Sequence, residues 1–217
     1  QLAADIMAQS CPDHLLLGEE DPPDQEPAAA DWIWLVDPID GTRNFAMGIP
    51  HFCTIVALSK GDYPVLGVTY DPMVDELFSA ERGKGAFLNG ERISVSERPA
   101  VSEALLCCDL GQVNEKAGLA IDMIRSIWPD LLSLRLLGSA GLGVAYAAAG
   151  RVDMYFHNSL SPWDIVAGLV QVSEAGGQIV DRQGKPANLQ TSGIIAANPA
   201  LIADFLRQTD GLPWRDT

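Results

Sequence analysis

The chain has 217 residues, 47% of them hydrophobic and 20% charged, a usage that fits a globular protein and excludes disordered, fibrous and small disulfide-stapled chains. Fourteen Lys and Arg stand against 29 Asp and Glu, a net charge of −15, and no segment gathers enough basic residues to track a nucleic-acid backbone or an anionic membrane. Apolar runs such as Leu142–Ala149 and Ile194–Ala197 fall far short of the roughly 20 residues a membrane helix needs.

The chain opens on Gln1-Leu2-Ala3-Ala4-Asp5-Ile6-Met7, without an initiator Met. This stretch reads as the middle of an amphipathic helix with Leu2, Ile6 and Met7 on one face, so residues upstream of it are expected. Pro12 and the run Asp21-Pro22-Pro23-Asp24-Gln25-Glu26-Pro27 then mark a stop and a polar, proline-rich loop. Trp32–Val36 is a short bulky run bounded by that loop and by Pro38, and predicts a buried strand ending at Asp37. From Phe52 to Ser96, strand-like runs (Cys53–Leu58, Val65–Tyr70, Glu76–Ala80, Ile93–Ser96) alternate with turns at Lys60-Gly61-Asp62, Asp71-Pro72 and Asn89-Gly90, the pattern of an antiparallel meander.

Beyond Pro99 strands alternate with helices. Ala104–Cys108, Leu134–Leu137, Asp153–His157, Gln178–Val180 and Ile194–Ala197 read as strands; Asn114–Trp128, Ser139–Ala149, Trp163–Ala175 and Pro199–Arg207 read as helices. The sum is a layered α/β (α+β) architecture in two halves, 1–98 and 99–217, forming one compact unit. Cys11, Cys53, Cys107 and Cys108 include no C-x-x-C pair, and no signal-peptide pattern is present, so a reduced, cytoplasmic protein is expected.

The chemistry concentrates in short acidic features: Gly18-Glu19-Glu20-Asp21, Asp37, Asp40 and Trp163-Asp164. Asp37 and Asp40 flank Pro38-Ile39, so a rigid turn at a strand end would aim both carboxylates into one pocket with the Ile39 carbonyl between them. Carboxylates crowded together raise one another's pKa unless a cation lies among them. Oxygen donors without Cys or His favour magnesium, manganese or calcium over zinc. Gly41-Thr42 follows, where glycine lets the backbone approach an anion and successive amides form a nest for phosphate oxygens. On spacing alone, Asp-Pro-x-Asp-Gly-Thr reads equally well as an ordinary turn.

Three ordered motifs shift that balance: Gly18-Glu19-Glu20, Trp34-Leu35-Val36-Asp37-Pro38-Ile39-Asp40-Gly41-Thr42-x-Asn44-Phe45 and Trp163-Asp164-x-x-Ala167-Gly168. Together they resemble the inositol monophosphatase family of lithium-sensitive, magnesium-dependent phosphatases. Gly83-Lys84-Gly85-Ala86-Phe87-x-Asn89-Gly90 and Glu174-Ala175-Gly176-Gly177 extend the resemblance over Gly18 to Asn198. It implies an α-β-α-β-α sandwich of the inositol monophosphatase and fructose-1,6-bisphosphatase type. It also implies one metal on Glu19, Asp37 and the Ile39 carbonyl, a second on Asp37, Asp40 and Asp164, with Glu20 behind them. Mg2+ is the implied ion, Mn2+ a substitute and Li+ an inhibitor, and a homodimer is the implied assembly.

The implied reaction is hydrolysis of a small phosphate monoester by direct in-line attack of water, without a phosphoenzyme. Glu19 and Thr42 would place the water, and the Gly41 and Thr42 amides would hold a phosphate oxygen. In the family an acid from a strand and turn before the first helix retained here supports the counterpart of Thr42, and that segment is absent from this sequence: either residues upstream of Gln1 supply it, which is the expectation, or the protein lacks part of the usual site. Gly138-Ser139-Ala140 resembles the turn that touches the alcohol. His157 stands where inositol-specific members carry a glutamate that accepts from substrate hydroxyls; an imidazole cannot replace it as a carboxylate acceptor, which opens sugar phosphates, histidinol phosphate, fructose 1,6-bisphosphate or nucleotide 3′-phosphates as substrates. His14 and His51, without acids at short spacing, read as structural. A non-catalytic metal-binding regulatory protein is the alternative of another class.

Overall fold

A computed structural model describes residues 2–20, 31–111 and 114–216. The proline-rich loop expected at Asp21–Pro27 lies outside the described residues. Two sheets carry the architecture. The first has seven strands in sequence order, β1 (Leu15–Gly18), β2 (Trp32–Asp40), β3 (Cys53–Lys60), β4 (Tyr63–Asp71), β5 (Glu76–Glu81), β6 (Gly85–Leu88) and β7 (Glu91–Arg92). β1 and β2 are parallel, and each later pair is antiparallel. The second sheet uses β8 (Leu105–Asp109), β9 (Ser133–Leu136), β10 (Met154–His157), β11 (Gln178–Asp181) and β12 (Ile194–Ala197) in the order β11-β12-β10-β8-β9.

Between the sheets lie α4 (Ala140–Ala148) and α5 (Pro162–Glu174), which touch strands of both. Small residues permit this closeness: a Cβ added at Gly67 of β4 would meet the backbone of Ala167 in α5 at 2.6 Å, a distance no side chain tolerates. The interlayer core joins Leu35, Ile55 and Phe78 of the first sheet to Leu142 and Val166 of the helices. α3 (Glu115–Ile127) and α6 (Pro199–Gln208) cover the far face of the second sheet, where Met123, Ile127, Leu201 and Phe205 pack with Leu106, Phe156 and Trp214. The layered α/β class expected from the sequence is the class observed. α1 (Leu2–Ser10) precedes β1, and its Ile6 is exposed.

Several elements depart from expectation. Ile93–Ser96 is not a strand; the last hairpin of the meander is instead β6–β7, paired Leu88↔Glu91 around Asn89 (φ 49°) and Gly90 (φ 85°). Two successive positive φ angles make the tight two-residue turn whose twist suits a hairpin, so the strands close immediately on either side of it. β1 and the five-residue helix α2 (Thr42–Ala46) were not foreseen: four half-buried residues show no alternation, and one helical turn shows no period. The two glycine-bearing segments at 83–90 and 174–177 meet, because the Glu174 carboxylate accepts the amides of Gly83 and Gly85 at 2.8 Å each.

The most consequential departure is β2, which runs past Asp37 to Asp40. Asp37 pairs with Ile55 and Asp40 with Cys53, so three steps on β2 span two on β3. This is a β-bulge, and Pro38, which has no amide to give the ladder, sits inside it. Residues three apart on a regular strand face opposite sides; one inserted residue returns them to the same side. The Thr54 hydroxyl pins the bulge by donating to the Pro38 carbonyl at 2.8 Å.

Candidate active site

The bulge brings Asp37 and Asp40 together, and α5 supplies Asp164. Asp164 occupies the third position of α5 after Pro162, and its carboxylate accepts the Ser161 amide at 2.8 Å in a capping box. One oxygen from each of Asp37, Asp40 and Asp164 lies within 4.8 Å of the others. Glu19, at the end of β1, lines the same cavity outside this tight group, while Glu20 is exposed and off the cavity wall.

The electrostatic consequence is strong. Asp37 is pushed from 3.8 to about 8, first by burial and then by the charges of Asp40, Glu19 and Asp164, against the Ile39 amide that donates to it at 3.0 Å. Asp164 rises to about 7, again through burial first, with the Ser161 amide opposing and Asp40 and Glu19 adding. Burial raises Asp40 as well. Its carboxylate is gripped by the Ser139 hydroxyl, the Gly141 amide at 3.0 Å, the Ala140 amide at 3.3 Å and the Cys53 thiol at 3.5 Å. Asp40 thus sits on the N-terminus of α4, where free amides favour an anion. A set of buried oxygens that cannot all ionise alone, with no nitrogen or sulfur donor among them, fits a hard divalent cation.

Beside the carboxylates, Gly41 adopts φ 87°, and a Cβ there would lie 3.1 Å from the Gly138 carbonyl and 3.2 Å from that of His51, so both conformation and space demand glycine. The turn starts α2, whose Thr42 hydroxyl donates to the Ile39 carbonyl at 3.0 Å and keeps its lone pairs for another donor. Asn44 ties α2 to the loop before β3 and to the second half by donating to the carbonyls of His51 and Leu137 respectively, 2.8 Å each.

All of this opens on a cavity of about 620 Å³, within the range of small-ligand sites. Gly138, Ala140 and His157 line it, as the sequence suggested, but Ser139 does not: 1% exposed, its hydroxyl faces Asp40 and also accepts the Leu142 amide at 3.3 Å as the cap of α4. His157, 4% exposed, has Nδ1 accepting the Ser159 amide at 3.0 Å, and burial lowers its pKa to about 4.

Three wall residues escaped the sequence reading. Asp109 ends β8 directly beside His157 and accepts the Gly138 amide at 2.6 Å, the Leu137 amide at 3.0 Å and the Tyr155 hydroxyl at 3.2 Å. Burial, resisted by these donors, pushes it to about 6. Arg43 and Lys116 line the cavity too. A carboxylate at a strand's carboxyl end was the available signal for Asp109; the two cations have none. His51 fits its structural reading, packing edge-on against Tyr146, with burial lowering its pKa despite the charges of Asp71 and Asp40. His14 stacks on Trp32.

With fold and site in view, comparison with known proteins places the chain. The sequence profile of the inositol monophosphatase family matches residues 1–210. The chain belongs to the inositol monophosphatase family. It is 42% identical to an inositol-1-monophosphatase of Rhizobium meliloti over 81% of this chain and 66% of that protein. It is 41% identical to a fructose-1,6-bisphosphatase/inositol-1-monophosphatase of Thermotoga maritima over 80% of this chain and 66% of the relative. The chain therefore spans about two thirds of the length of both. An inositol monophosphatase/NADP phosphatase solved with Mg2+ and phosphate superposes with a TM-score of 0.85 at 26% identity, covering 97% of this chain and 78% of that one.

Proposed function

We propose that the protein is a Mg2+-dependent phosphatase of small phosphate monoesters, inositol monophosphate among them. The convergence of the Asp37, Asp40 and Asp164 carboxylates within 4.8 Å carries this reading, and the family membership supports it. In this reading Glu19, Asp37 and the Ile39 carbonyl hold one ion, and Asp37, Asp40 and Asp164 a second. Bound Mg2+ supplies Lewis-acid activation of water and neutralises charge on the phosphoryl and leaving oxygens.

The chain's own groups do the rest. The free amides of the Gly41-Thr42 turn hold a phosphoryl oxygen, while Glu19 and the lone pairs of Thr42 orient the water in line with the departing alcohol. The water oxygen bonds to phosphorus as the bond from phosphorus to the alcohol oxygen breaks, and the proton that the water gives up balances the one the departing alkoxide takes to leave as an alcohol. Cys53 and Ser139, beside the cluster, are buried and directed at Asp40, so neither is available as a nucleophile. Ser139 is accordingly assigned to holding Asp40, and the alcohol contacts to Gly138, Ala140 and His157. The resemblance further supports Mn2+ as a substitute, Li+ as an inhibitor, and a homodimer in the cytoplasm.

Phosphate release from inositol 1-phosphate and a panel of sugar monophosphates, with and without Mg2+, tests the assignment. Turnover only with the metal is expected; absence of turnover on every ester removes the enzyme reading and leaves the regulatory alternative.

A further inference from the structure

Behind the His157 side of the cavity lies a group of buried polar side chains that the proposed chemistry does not use. Asn158, 2% exposed, follows His157 in the turn from β10 to α5. Its side-chain oxygen accepts the Trp214 indole N–H at 2.5 Å, and its Nδ2 donates to the Lys116 carbonyl at 3.1 Å. An indole only donates and a carbonyl only accepts, so the two partners fix which way the amide faces. The main-chain carbonyl of Asn158 accepts Nη1 of Arg182 at 3.2 Å, and the Arg182 guanidinium lies 5.9 Å from the centre of the Trp214 ring. Gly193 leaves room for this: a Cβ there would stand 2.9 Å from the Asn158 carbonyl and 2.8 Å from Nε of Arg182.

Trp214 belongs to the helical turn Pro213–Asp216 and is fully buried. It packs edge-on against Phe156 and Phe205, with ring centres 5.9 Å away in each case. Phenylalanine would fill such an aromatic cluster with no polar group to satisfy, whereas a buried indole N–H costs free energy unless it finds an acceptor. What the polar link adds is direction, because hydrogen bonds hold one geometry where apolar packing accepts several. Asn158 and Lys116 both line the cavity, one on the turn leading to Asp164 and the other on the first turn of α3. The Ser159 amide that holds Nδ1 of His157 lies just beyond Asn158, so the imidazole follows the turn. The far end of the turn is held separately: the Leu160 amide donates to the Ser192 carbonyl at 2.6 Å, and Ser161 and Asp164 form the capping box of α5. Asn158 therefore governs the His157 end of the turn and its spacing from α3, not the carboxylate of Asp164.

We propose that Asn158 is a positioning residue for ester binding, held by Trp214 and Arg182, so that the turn Pro213–Asp216 sets the spacing of the cavity wall around His157. This rests on the phosphatase reading of the site and deepens it, since the adjoining His157 is the assigned alcohol contact. Neither Asn158 nor Trp214 takes part in the chemical step. Loosening the link lets the wall shift while the carboxylates, held by β2, α4 and α5, stay in place. The loss then falls on affinity for the ester rather than on turnover.

Asn158→Ala, Trp214→Phe, the double variant and Phe205→Leu test this against the wild type, using the panel ester that the wild type hydrolyses fastest with Mg2+. Trp214→Phe keeps an aromatic ring and removes only the N–H; Phe205→Leu is the control, loosening the same cluster without touching Asn158. KM is expected to rise about tenfold in Asn158→Ala and about threefold in Trp214→Phe, with kcat and calorimetric Mg2+ affinity within about twofold of the wild type. The double variant should match Asn158→Ala, because both changes break one link. Amide hydrogen exchange of residues 158–160 and of the first turn of α3 should quicken about tenfold relative to β12 in both single variants. Phe205→Leu should lower the melting temperature and leave KM and that exchange ratio unchanged. A KM unmoved in Asn158→Ala and Trp214→Phe overturns the proposal, as does an equal rise in Phe205→Leu or a loss confined to kcat or Mg2+ affinity. Multiplying effects in the double variant overturn it too. If the wild type hydrolyses no ester, the phosphatase reading fails, and the exchange ratios decide the positioning link independently.

Discussion

The carboxylate end of the cavity and the end around His157 are built on different principles. The first is buried and backbone-determined: a bulge in β2, the cap of α5 and the N-terminus of α4 fix three carboxylates, two of them from one hexapeptide. The second is assembled from side chains of α2, α3 and β10 that share no local pattern, and its cations are exposed. In the proposed reading, chemistry common to all esters is thus carried by elements that are costly to alter. In the same reading, discrimination among esters falls to side chains that can change without disturbing the fold.

The sharpest way to break this contrast is Asp37→Asn. It should lower kcat by about 1,000-fold or more in a phosphate-release assay, while raising the melting temperature of the metal-free protein because a buried, crowded charge is gone. Thr42→Ala comes next, with about 100-fold lost in kcat and the ester affinity largely kept if the hydroxyl orients the attacking water. Ser139→Ala removes a donor from Asp40 without touching the ester; roughly 10-fold weaker Mg2+ binding is expected by calorimetry. A substrate-contact role for Ser139 would instead raise KM and leave the metal affinity intact.

The smallest effect is on stability against pH. Folding raises Asp37 from 3.8 to about 8 and Asp164 from 3.8 to about 7. Between those values the fold retains protons that the unfolded chain has released, so the metal-free protein is most stable below about pH 4 with respect to these groups and loses that contribution as pH rises through about 8. Mg2+ should therefore raise the melting temperature more at pH 8 than at pH 5, by about 2–4 °C or more. An equal or smaller shift at pH 8 would contradict the cation's place among these carboxylates.

The contrast also explains what could be read from the sequence. The layered class, most strands and the helices of the second half follow from periodicity, caps and turn residues, as at Asn114, the expected start, whose side chain caps α3 one residue before its first. Asp37, Asp40 and Asp164 were legible because they sit in compact motifs. Their convergence was only half legible: Pro38 advertised an irregularity, but the register shift that turns both carboxylates to one side is a property of the pairing with β3. Asp109, Arg43 and Lys116 were not legible, since only the tertiary fold brings the end of β8, the start of α2 and the start of α3 around His157. Ser139 differs from its neighbours Gly138 and Ala140, which reach the cavity, because its cap of α4 turns its hydroxyl inward to Asp40, a placement its sequence position did not reveal.

The account rests on Asp37, Asp40 and Asp164 acting together as a cation site. Calorimetric titration of Mg2+ into the wild type, Asp37→Asn and Asp164→Asn in the presence of inorganic phosphate addresses it most directly. Saturable binding by the wild type and its loss in both variants is the predicted result; undiminished Mg2+ binding in either variant would contradict it.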